Sequence, residues 1–238
     1  MREAELSDEE LLLERLCRLE VAAAADVMAT MGFTRQVLDP AIRPLGCAKF
    51  GGRAVCASGR KKGAQPAVPT FRLDDAVTPG SVVMISTDGC RAGAIIGENM
   101  VASMVSRGAR GVFLDGGVRD SDALEQVDIP VWCAFSSPAS AHADWGYVAI
   151  GEPISLPGLS GSVQVSPGDL VVADADGACV IPLKYAGQII ADAETLMAAD
   201  AAIAAALSAG ESRERATKSN PRLAHVSPIH GAGDAPTE

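Results

Sequence analysis

The feature that most constrains the fold is an alternation of short apolar runs with one amphipathic helix in the middle of the chain. The helical segment is "NMVASMVSRG", which Gly108 ends, and the apolar runs are "SVVMIS" (81–86), "GVFLD" (111–115) and "IPVWCAF" (129–135). Strands that alternate with a helix at this spacing indicate βαβ units, because a crossover helix returns the chain to pair in parallel. The pattern therefore predicts an α/β fold.

Further helices are predicted on both sides of this centre. Ser7 and Glu10 have the spacing of a capping box, so a first helix begins near Ser7, and an Ala-rich second helix ends at Gly32. A strand-rich block, "YVAIGEPISL" and "GSVQVSPGDLVVADADGACVIP", precedes one long helix over 183–209. The sequence thus predicts N-terminal helices, a central sheet and a long C-terminal helix.

A change of composition near residue 210 divides the chain. We expect residues 1–210 to form a single α/β domain with a substantial core. Residues 211–238, "ESRERATKSNPRLAHVSPIHGAGDAPTE", are polar and rich in Pro and Gly. This composition favours a tail that is loosely ordered or wraps on a neighbouring chain.

Charge and cysteine usage exclude several classes of protein. The net charge of −10 argues against a nucleic-acid surface, which needs clustered Lys and Arg. No apolar run approaches the roughly 18 residues of a membrane span. The acidic N-terminus lacks the apolar region of a signal peptide, and the six cysteines are scattered without a CxxC pair. We therefore expect a cytoplasmic protein with reduced thiols.

One acid follows a glycine at the start of the central helix. A strand leads into Gly97, and the unsatisfied backbone N–H groups near Glu98, Asn99 and Met100 bear partial positive charge, so an anion can bind there. Glu98 alternatively only complements the helix dipole. Its position alone leaves both interpretations open.

An Arg-Asp pair follows the "DGG" turn after the apolar run 111–115. We place this pair at the C-terminal end of that strand, the edge where open α/β sheets bind ligands. Arg119 can bind a carboxylate through two parallel hydrogen bonds, and Asp120 can bind a hard divalent cation. The alternative is a surface ion pair of little energetic consequence.

A third acid interrupts the apolar stripe of the last helix. Asp200 lies four residues after Leu196 and three before Ile203, within a stripe that also contains Ile189, Ala193 and Leu207. A buried carboxylate needs a compensating partner. That partner can be an arginine, the water shell of a metal, or a subunit interface, and a plain buried salt bridge is equally compatible.

Taken together, these residues resemble a known family. An acid, twenty residues and then Arg-Asp resembles the motif of the RraA-like proteins, which include the 4-hydroxy-4-methyl-2-oxoglutarate and 4-carboxy-4-hydroxy-2-oxoadipate aldolases. The segments "GARGVFLDGGVRD", "SPGDLVVADADGACVIP" and "IRPLG…FGGRAV" carry the similarity, which covers roughly residues 20–210. It implies a compact, layered β/β/α domain of the swivelling type. It also implies a homotrimer or homohexamer with active sites between subunits.

The resemblance also implies roles for the residues at the two ends of the central helix–strand unit. Arg119 binds the carboxylate of a 2-oxo acid substrate, helped by Gly97 and the amides of Asn99 and Met100. Asp120 binds Mg²⁺ or Mn²⁺ directly. In this family, a cation chelated by the keto and carboxylate oxygens stabilises the enolate of pyruvate, and no lysine is needed.

Two further acids complete the implied set, and both depart from the family pattern. Glu98 and Asp200 act through metal-bound water, with Asp200 supplied by a neighbouring subunit. The aldolases commonly have Asp in place of Glu98 and Glu in place of Asp200, so one side chain is a methylene longer and the other a methylene shorter. The departures leave proton-transfer geometry and substrate length open.

The implied activity is a metal-dependent retro-aldol cleavage of a 4-hydroxy-2-oxo di- or tricarboxylic acid to give pyruvate, with oxaloacetate decarboxylation as a side activity. The alternatives are a non-catalytic regulator of an RNA-processing ribonuclease and a related lyase or decarboxylase on a sugar-acid-derived substrate. We expect residues 59–77 to form part of the distal pocket. His142 is interpreted as a packed loop histidine, because no serine or cysteine elbow accompanies it.

Overall fold

The computed structural model describes residues 7–63 and 67–229. In that part of the chain the helices are α1 (Asp8–Arg18), α2 (Val21–Met31), α3 (Phe71–Ala76), α4 (Glu98–Ser106), α5 (Ser121–Leu124), α6 (Ala186–Ser208) and α7 (Arg213–Ser219). The strands are β1 (Arg43–Leu45), β2 (Phe50–Lys61), β3 (Ser81–Ser86), β4 (Ala94–Ile96), β5 (Gly111–Leu114), β6 (Gly117–Val118), β7 (Val131–Cys133), β8 (Phe135–Ser136), β9 (Trp145–Ile150), β10 (Ile154–Gly158), β11 (Gly161–Val165), β12 (Leu170–Asp174) and β13 (Gly177–Ile181).

The predicted helix boundaries are confirmed where the sequence carries capping signals. The Ser7 hydroxyl accepts from the Glu10 amide, and the Glu10 carboxylate accepts from the Ser7 amide at 2.8 Å, which together form the capping box at the start of α1. Gly32 ends α2 with a φ of 103°, a left-handed conformation that favours glycine. A 3₁₀ turn, Leu183–Tyr185, leads into α6, so one helical run occupies 183–208 of the predicted 183–209.

The larger sheet is mixed, with a parallel centre. Its order is β1-β7-β5-β3-β2-β12-β13, and β9 pairs with the end of β2 from Ala57 to Lys61. The neighbours β2-β3, β3-β5 and β5-β7 are parallel, as the βαβ pattern predicts, whereas β1, β9, β12 and β13 join antiparallel. Alternate residues of β3 face opposite cores, Val83 and Ile85 on one side and Val82 and Met84 on the other.

Helices and a hairpin cover the sheet in layers. The helices α1, α2 and α6 pack on β12 and β13, while α3, α4 and α5 contribute to a second core with β3, β5 and β7. A third core lies between the sheet and the antiparallel hairpin β10-β11. These layers, with helices at the N-terminus and one long helix near the C-terminus, confirm the predicted layered α/β fold.

The predicted strand 129–135 is divided between two sheets, and the predicted strand 111–115 is followed by a further short strand. After β5, which belongs to the large sheet, β6 joins a small parallel sheet of order β4-β6-β8, and the run 129–136 divides into β7 of the large sheet and β8 of the small one. The chain crosses between the sheets at Gly116 and Gly117, where an added Cβ would meet Thr87 at 2.6 Å and Phe135 at 2.5 Å. The Arg-Asp pair therefore follows β6, and its predicted position at the end of 111–115 is corrected.

The segment after α6 also differs from the expectation of a loose or neighbour-wrapping tail. Helix α7 packs on α6 of its own chain, Ala216 and Val226 are buried, and the Ile229 amide donates to the Met31 carbonyl at 2.9 Å. Apolar residues spaced through a polar sequence anchor it, a signal that composition alone does not show. Residues 230–238 of the predicted tail lie outside the described residues.

Within the described ranges, no helix combines the length and the apolar character needed to cross a bilayer.

Candidate active site

The candidate site lies where the three strands of the small sheet end. Strands β4, β6 and β8 run parallel, so the residues that follow them meet at one edge: Gly97, Arg119 and Ser137. Backbone hydrogen bonds continue past the strand ends, from the Arg119 amide to the Ile96 carbonyl at 3.1 Å and from the Ser137 amide to the Val118 carbonyl at 2.8 Å. Parallel pairing thus brings together segments that are far apart in sequence.

Gly97 permits the closest approach in the site. A Cβ on this residue would lie 2.6 Å from Asp120 Oδ2, 3.0 Å from Arg119 Cγ and 3.1 Å from Arg119 Nε. Its φ of −149° is extended backbone, so glycine is required here for space and not for a left-handed conformation. The two charged side chains pack over the peptide that begins α4.

Asp120 is held in a strained backbone conformation. Its φ is +60°, in the left-handed region that is uncommon for residues other than glycine. In this conformation Oδ2 accepts a hydrogen bond from the Glu98 amide at 3.2 Å and lies 3.6 Å from Arg119 Nε. The Asp120 and Arg119 side chains remain 44% and 49% exposed, so both can reach a ligand from solvent.

The first turn of α4 offers fewer free amides than the sequence predicts. The Glu98 amide donates to Asp120, and the Met100 amide donates to the Gly97 carbonyl at 3.1 Å. The expected contribution of the Met100 amide to anion binding is therefore not available in this conformation. Among the described residues the Asn99 amide has no hydrogen-bond partner, which leaves it as the donor that can face an anion.

A cavity of about 220 Å³ opens beside these groups. The predicted residues Gly97, Asn99, Met100, Arg119 and Asp120 all line it. Glu98 does not line it, because its exposed side chain leaves the helix elsewhere and only its amide takes part in the site.

Asp200 lies away from this cavity and has partners of its own. Arg222 donates to its two carboxylate oxygens at 2.5 and 2.9 Å, and also to Asp26 at 3.2 Å. These contacts hold the pKa of Arg222 above its usual range. The Asp200 side chain is 36% exposed, since α6 leaves the core after Leu196. The sequence pattern allowed an arginine, the water shell of a metal or a subunit interface as the partner of Asp200. In the single chain the partner is an arginine, Arg222.

Three polar residues complete the cavity wall, and sequence reasoning missed two of them, Ser140 and His142. Thr70, Ser140 and His142 line the cavity, and His142 is exposed there, which corrects its interpretation as a packed loop histidine. A single parallel bridge between Ala94 and Ser140 brings the loop to β4. Such a long-range bridge leaves no local signal, although Thr70 falls within the predicted distal segment 59–77.

The donor set of the site is compatible with a weakly ligated hard cation. The described residues contain no group of three or more His, Cys, Asp or Glu side chains that could bind a metal. Mg²⁺ is often bound by one carboxylate, waters and substrate oxygens, so it does not need such a group. The accessible Asp120 carboxylate beside the cavity is a donor that Mg²⁺ or Mn²⁺ could use.

Comparisons with known proteins find relatives that are named as aldolases. A protein of Halalkalibacterium halodurans with the provisional name 4-hydroxy-4-methyl-2-oxoglutarate aldolase is 32% identical over 143 residues, which are 60% of this chain and 61% of the relative. The 4-hydroxy-4-methyl-2-oxoglutarate aldolase of Thermus thermophilus is 30% identical over 45% of this chain and 63% of its own length. The chain thus spans less than two thirds of each of these relatives.

Solved structures share the fold. A crystal structure of an uncharacterized protein from Pseudomonas syringae has a TM-score of 0.75 at 24% identity, covering 87% of this chain and 96% of that one. Streptomyces coelicolor RraAS2, described as a member of the RNase ES inhibitor RraA family, has a TM-score of 0.69 at 26% identity, covering 77% and 91%. The family model described as RraA-like: Aldolase/RraA matches residues 4–180. Because this match spans well over half of the chain, the protein belongs to the RraA-like family.

Proposed function

We propose that the protein is a divalent-metal-dependent lyase that cleaves a 4-hydroxy-2-oxo di- or tricarboxylic acid by a retro-aldol reaction and releases pyruvate. The observation that carries the proposal is the close approach of Arg119 and Asp120 to Gly97 at the start of α4, beside a cavity of about 220 Å³. The names of two relatives support the same substrate class.

Each charged group has a distinct task in this proposal. Arg119 binds the substrate carboxylate bidentately, and the Asn99 amide adds a donor at the positive end of α4. Asp120 would hold Mg²⁺ or Mn²⁺, which when bound supplies Lewis-acid stabilisation of the developing enolate. The hydrogen bond from the Glu98 amide and the neighbouring guanidinium keep the Asp120 carboxylate oriented.

Proton transfer is assigned to Glu98. During retro-aldol cleavage the C3–C4 bond breaks, the 4-hydroxyl loses its proton and C3 of the enolate gains one. Because the Glu98 carboxylate does not line the cavity, it exchanges these protons through water and not by direct contact. The same enolate forms when oxaloacetate loses CO₂, so oxaloacetate decarboxylation is proposed as a side activity.

Asp200 requires a second subunit in this proposal. We propose a homotrimer or homohexamer in which Asp200 reaches the water shell of a neighbouring site. Its two hydrogen bonds with Arg222 then serve to orient the carboxylate in the free chain. An Asp200→Asn variant that assembles normally and keeps full activity would remove Asp200 from the mechanism.

A regulator of an RNA-processing ribonuclease is the second candidate, favoured by the similarity to RraAS2. The decisive experiment is a lactate-dehydrogenase-coupled pyruvate assay on 4-hydroxy-4-methyl-2-oxoglutarate and oxaloacetate, with Mg²⁺ and with EDTA. The lyase proposal predicts activity that EDTA abolishes and that Arg119→Ala or Asp120→Ala each remove. Activity unchanged by EDTA, or a fully active variant, refutes the mechanism. Absence of activity together with inhibition of a ribonuclease supports the regulator.

A further inference from the structure

A second cavity adjoins the candidate site. It measures about 290 Å³ and shares five wall residues with the site cavity: Thr70, Ala94, Ile95, Ser140 and His142. A substrate whose 2-oxo acid end is bound by Arg119 can therefore extend into the second cavity across a common wall.

The walls of this second cavity are mostly apolar and aromatic. Val68, Phe71, Trp145 and Tyr147 contribute to it, and Phe71 is 75% exposed at its edge. By comparison, an apolar cavity of about 150 Å³ is enough to bind benzene.

The aromatic wall is rigid. The Trp145 and Tyr147 rings pack edge to face with centroids 4.8 Å apart, and Trp145 Nε1 donates to the Thr87 carbonyl at 2.9 Å. Gly59 lies directly beneath the Trp145 ring, where an added Cβ would overlap the ring carbons. The side of the cavity that Trp145 and Tyr147 form is thus fixed before a ligand binds.

One buried polar group in this wall lacks a partner. Tyr147 is 1% exposed, and its hydroxyl has no hydrogen-bond partner among the residues described. Burial raises the pKa of this hydroxyl, so it is a neutral donor at physiological pH. The hydroxyl oxygen is enclosed by protein atoms, so the Tyr147 ring and not its hydroxyl contributes to the cavity wall.

The charged groups of the wall lie on one side only. Lys62 donates from Nζ to the His142 carbonyl, and its amide donates to the Asp144 carbonyl, which ties the 140–145 loop to the end of β2. Lys62 and His142 are both exposed, and no carboxylate from the described part of the chain lines the cavity. Lys62 therefore closes one wall, and the remaining surface suits an uncharged group.

We propose that this cavity binds the substituent on C4 of the substrate, and that the preferred substituent is an aryl-sized, apolar group. This inference rests on the proposed lyase function for the retro-aldol release of pyruvate, but it places an apolar group where the di- and tricarboxylic acids named there carry a further carboxylate. For 4-hydroxy-2-oxo-4-phenylbutanoate, the C3–C4 bond breaks, the 4-hydroxyl proton moves to C3 of the enolate through water, and pyruvate and benzaldehyde form.

Binding can be measured without cleavage by isothermal titration calorimetry with Mg²⁺ present. The ligand 2-oxo-4-phenylbutanoate lacks the 4-hydroxyl and cannot be cleaved, and 2-oxobutanoate is its matched control without the ring. Burial of the phenyl group should make the former bind roughly 10- to 100-fold more tightly. Equal affinities would overturn the inference.

Two tryptophan substitutions test the location. Val68→Trp fills the cavity and should abolish the gain from the phenyl group, whereas Val148→Trp, on the exposed and non-lining Val148 beside Tyr147, should preserve it. A gain that survives Val68→Trp overturns the assignment. So does a change of oligomeric state in Val68→Trp alone, because a neighbouring chain and not the substrate would then cover the cavity.

If no 4-hydroxy-2-oxo acid yields pyruvate but the phenyl gain and its loss in Val68→Trp are observed, the lyase function fails and the cavity assignment stands.

Discussion

Gly97→Ala is the sharpest test of the site, because it adds one methyl group at the point where three functional groups meet. The added Cβ would lie 2.6 Å from Asp120 Oδ2, whereas ordinary contacts begin near 3.4 Å. The carboxylate must therefore retreat by about 0.8 Å, and Arg119, at 3.0 and 3.1 Å, must shift by a few tenths of an ångström. Both displaced groups are side chains, so the fold should survive.

The expected effects on activity and on stability differ widely. Misplacement of binding groups by about 1 Å can lower a rate by about 100-fold, so we expect pyruvate release in the coupled assay to fall by roughly that factor. The φ of −149° is accessible to alanine, and the loss of glycine at the residue that caps α4 should reduce the free energy of unfolding by only about 1 kcal/mol. Urea unfolding measures that second quantity.

Gly187→Ala is the matched control. Gly187 lies in α6, and a Cβ added there would have no atom within 4 Å, so alanine should raise helix stability by up to about 1 kcal/mol and leave activity unchanged. Full activity of Gly97→Ala would refute the proposed geometry. Global unfolding of Gly97→Ala would refute the argument that only side chains must move.

Three further changes separate charge, burial and geometry. Arg119→Lys keeps the charge but loses bidentate binding, so KM for the 2-oxo acid should rise by roughly 10- to 100-fold, while the exposed Arg107→Lys has no effect. Burial raises the pKa of Asp115 above its ordinary value of 3.8, so ionisation of this carboxyl lowers the free energy of unfolding as pH rises. Urea titrations should therefore find Asp115→Asn more stable than the parent at pH 7 and equally stable below about pH 3.8. The hydrogen bonds from Arg15 lower the pKa of Glu194 below 4.5, so the ion pair stabilises the fold above that pH and ceases to do so on acidification. Glu194→Gln should lower the free energy of unfolding by less than about 1 kcal/mol at pH 7, because both side chains of the pair are 41% exposed. In strong acid the substitution should have no effect.

The sequence predicts the local elements of this protein well, because their signals are local. The Ser7–Glu10 capping box, the end of α2 at Gly32 and the strand 81–86 all depend on residues within one or two turns of each other. The division of 129–136 into β7 and β8 was not predicted, because a continuous apolar run looks the same whether it serves one sheet or two.

The charged motif of the site could also be read from the sequence, but its surroundings could not. The spacing of Glu98 and the Arg-Asp pair located residues that the fold brings to one sheet edge. The left-handed backbone of Asp120, the engagement of the Met100 amide and the contribution of His142 depend on long-range pairing of β4, β6 and the 140–145 loop. The hydrogen bonds from Arg222 to Asp200 likewise connect residues 22 positions apart, which meet only because the C-terminal segment folds back on α6.

The small β4-β6-β8 sheet has a consequence for how this architecture diversifies. Its strands are only two or three residues long, so the residues of the candidate site lie on short segments that leave the large sheet. Insertions or exchanges in these segments can change what the edge recognises without disturbing the principal core. In a fold of this kind, the residues that stabilise the core are largely distinct from the residues that form the binding edge. Closely similar folds can then serve as catalysts in one lineage and as inhibitory surfaces in another.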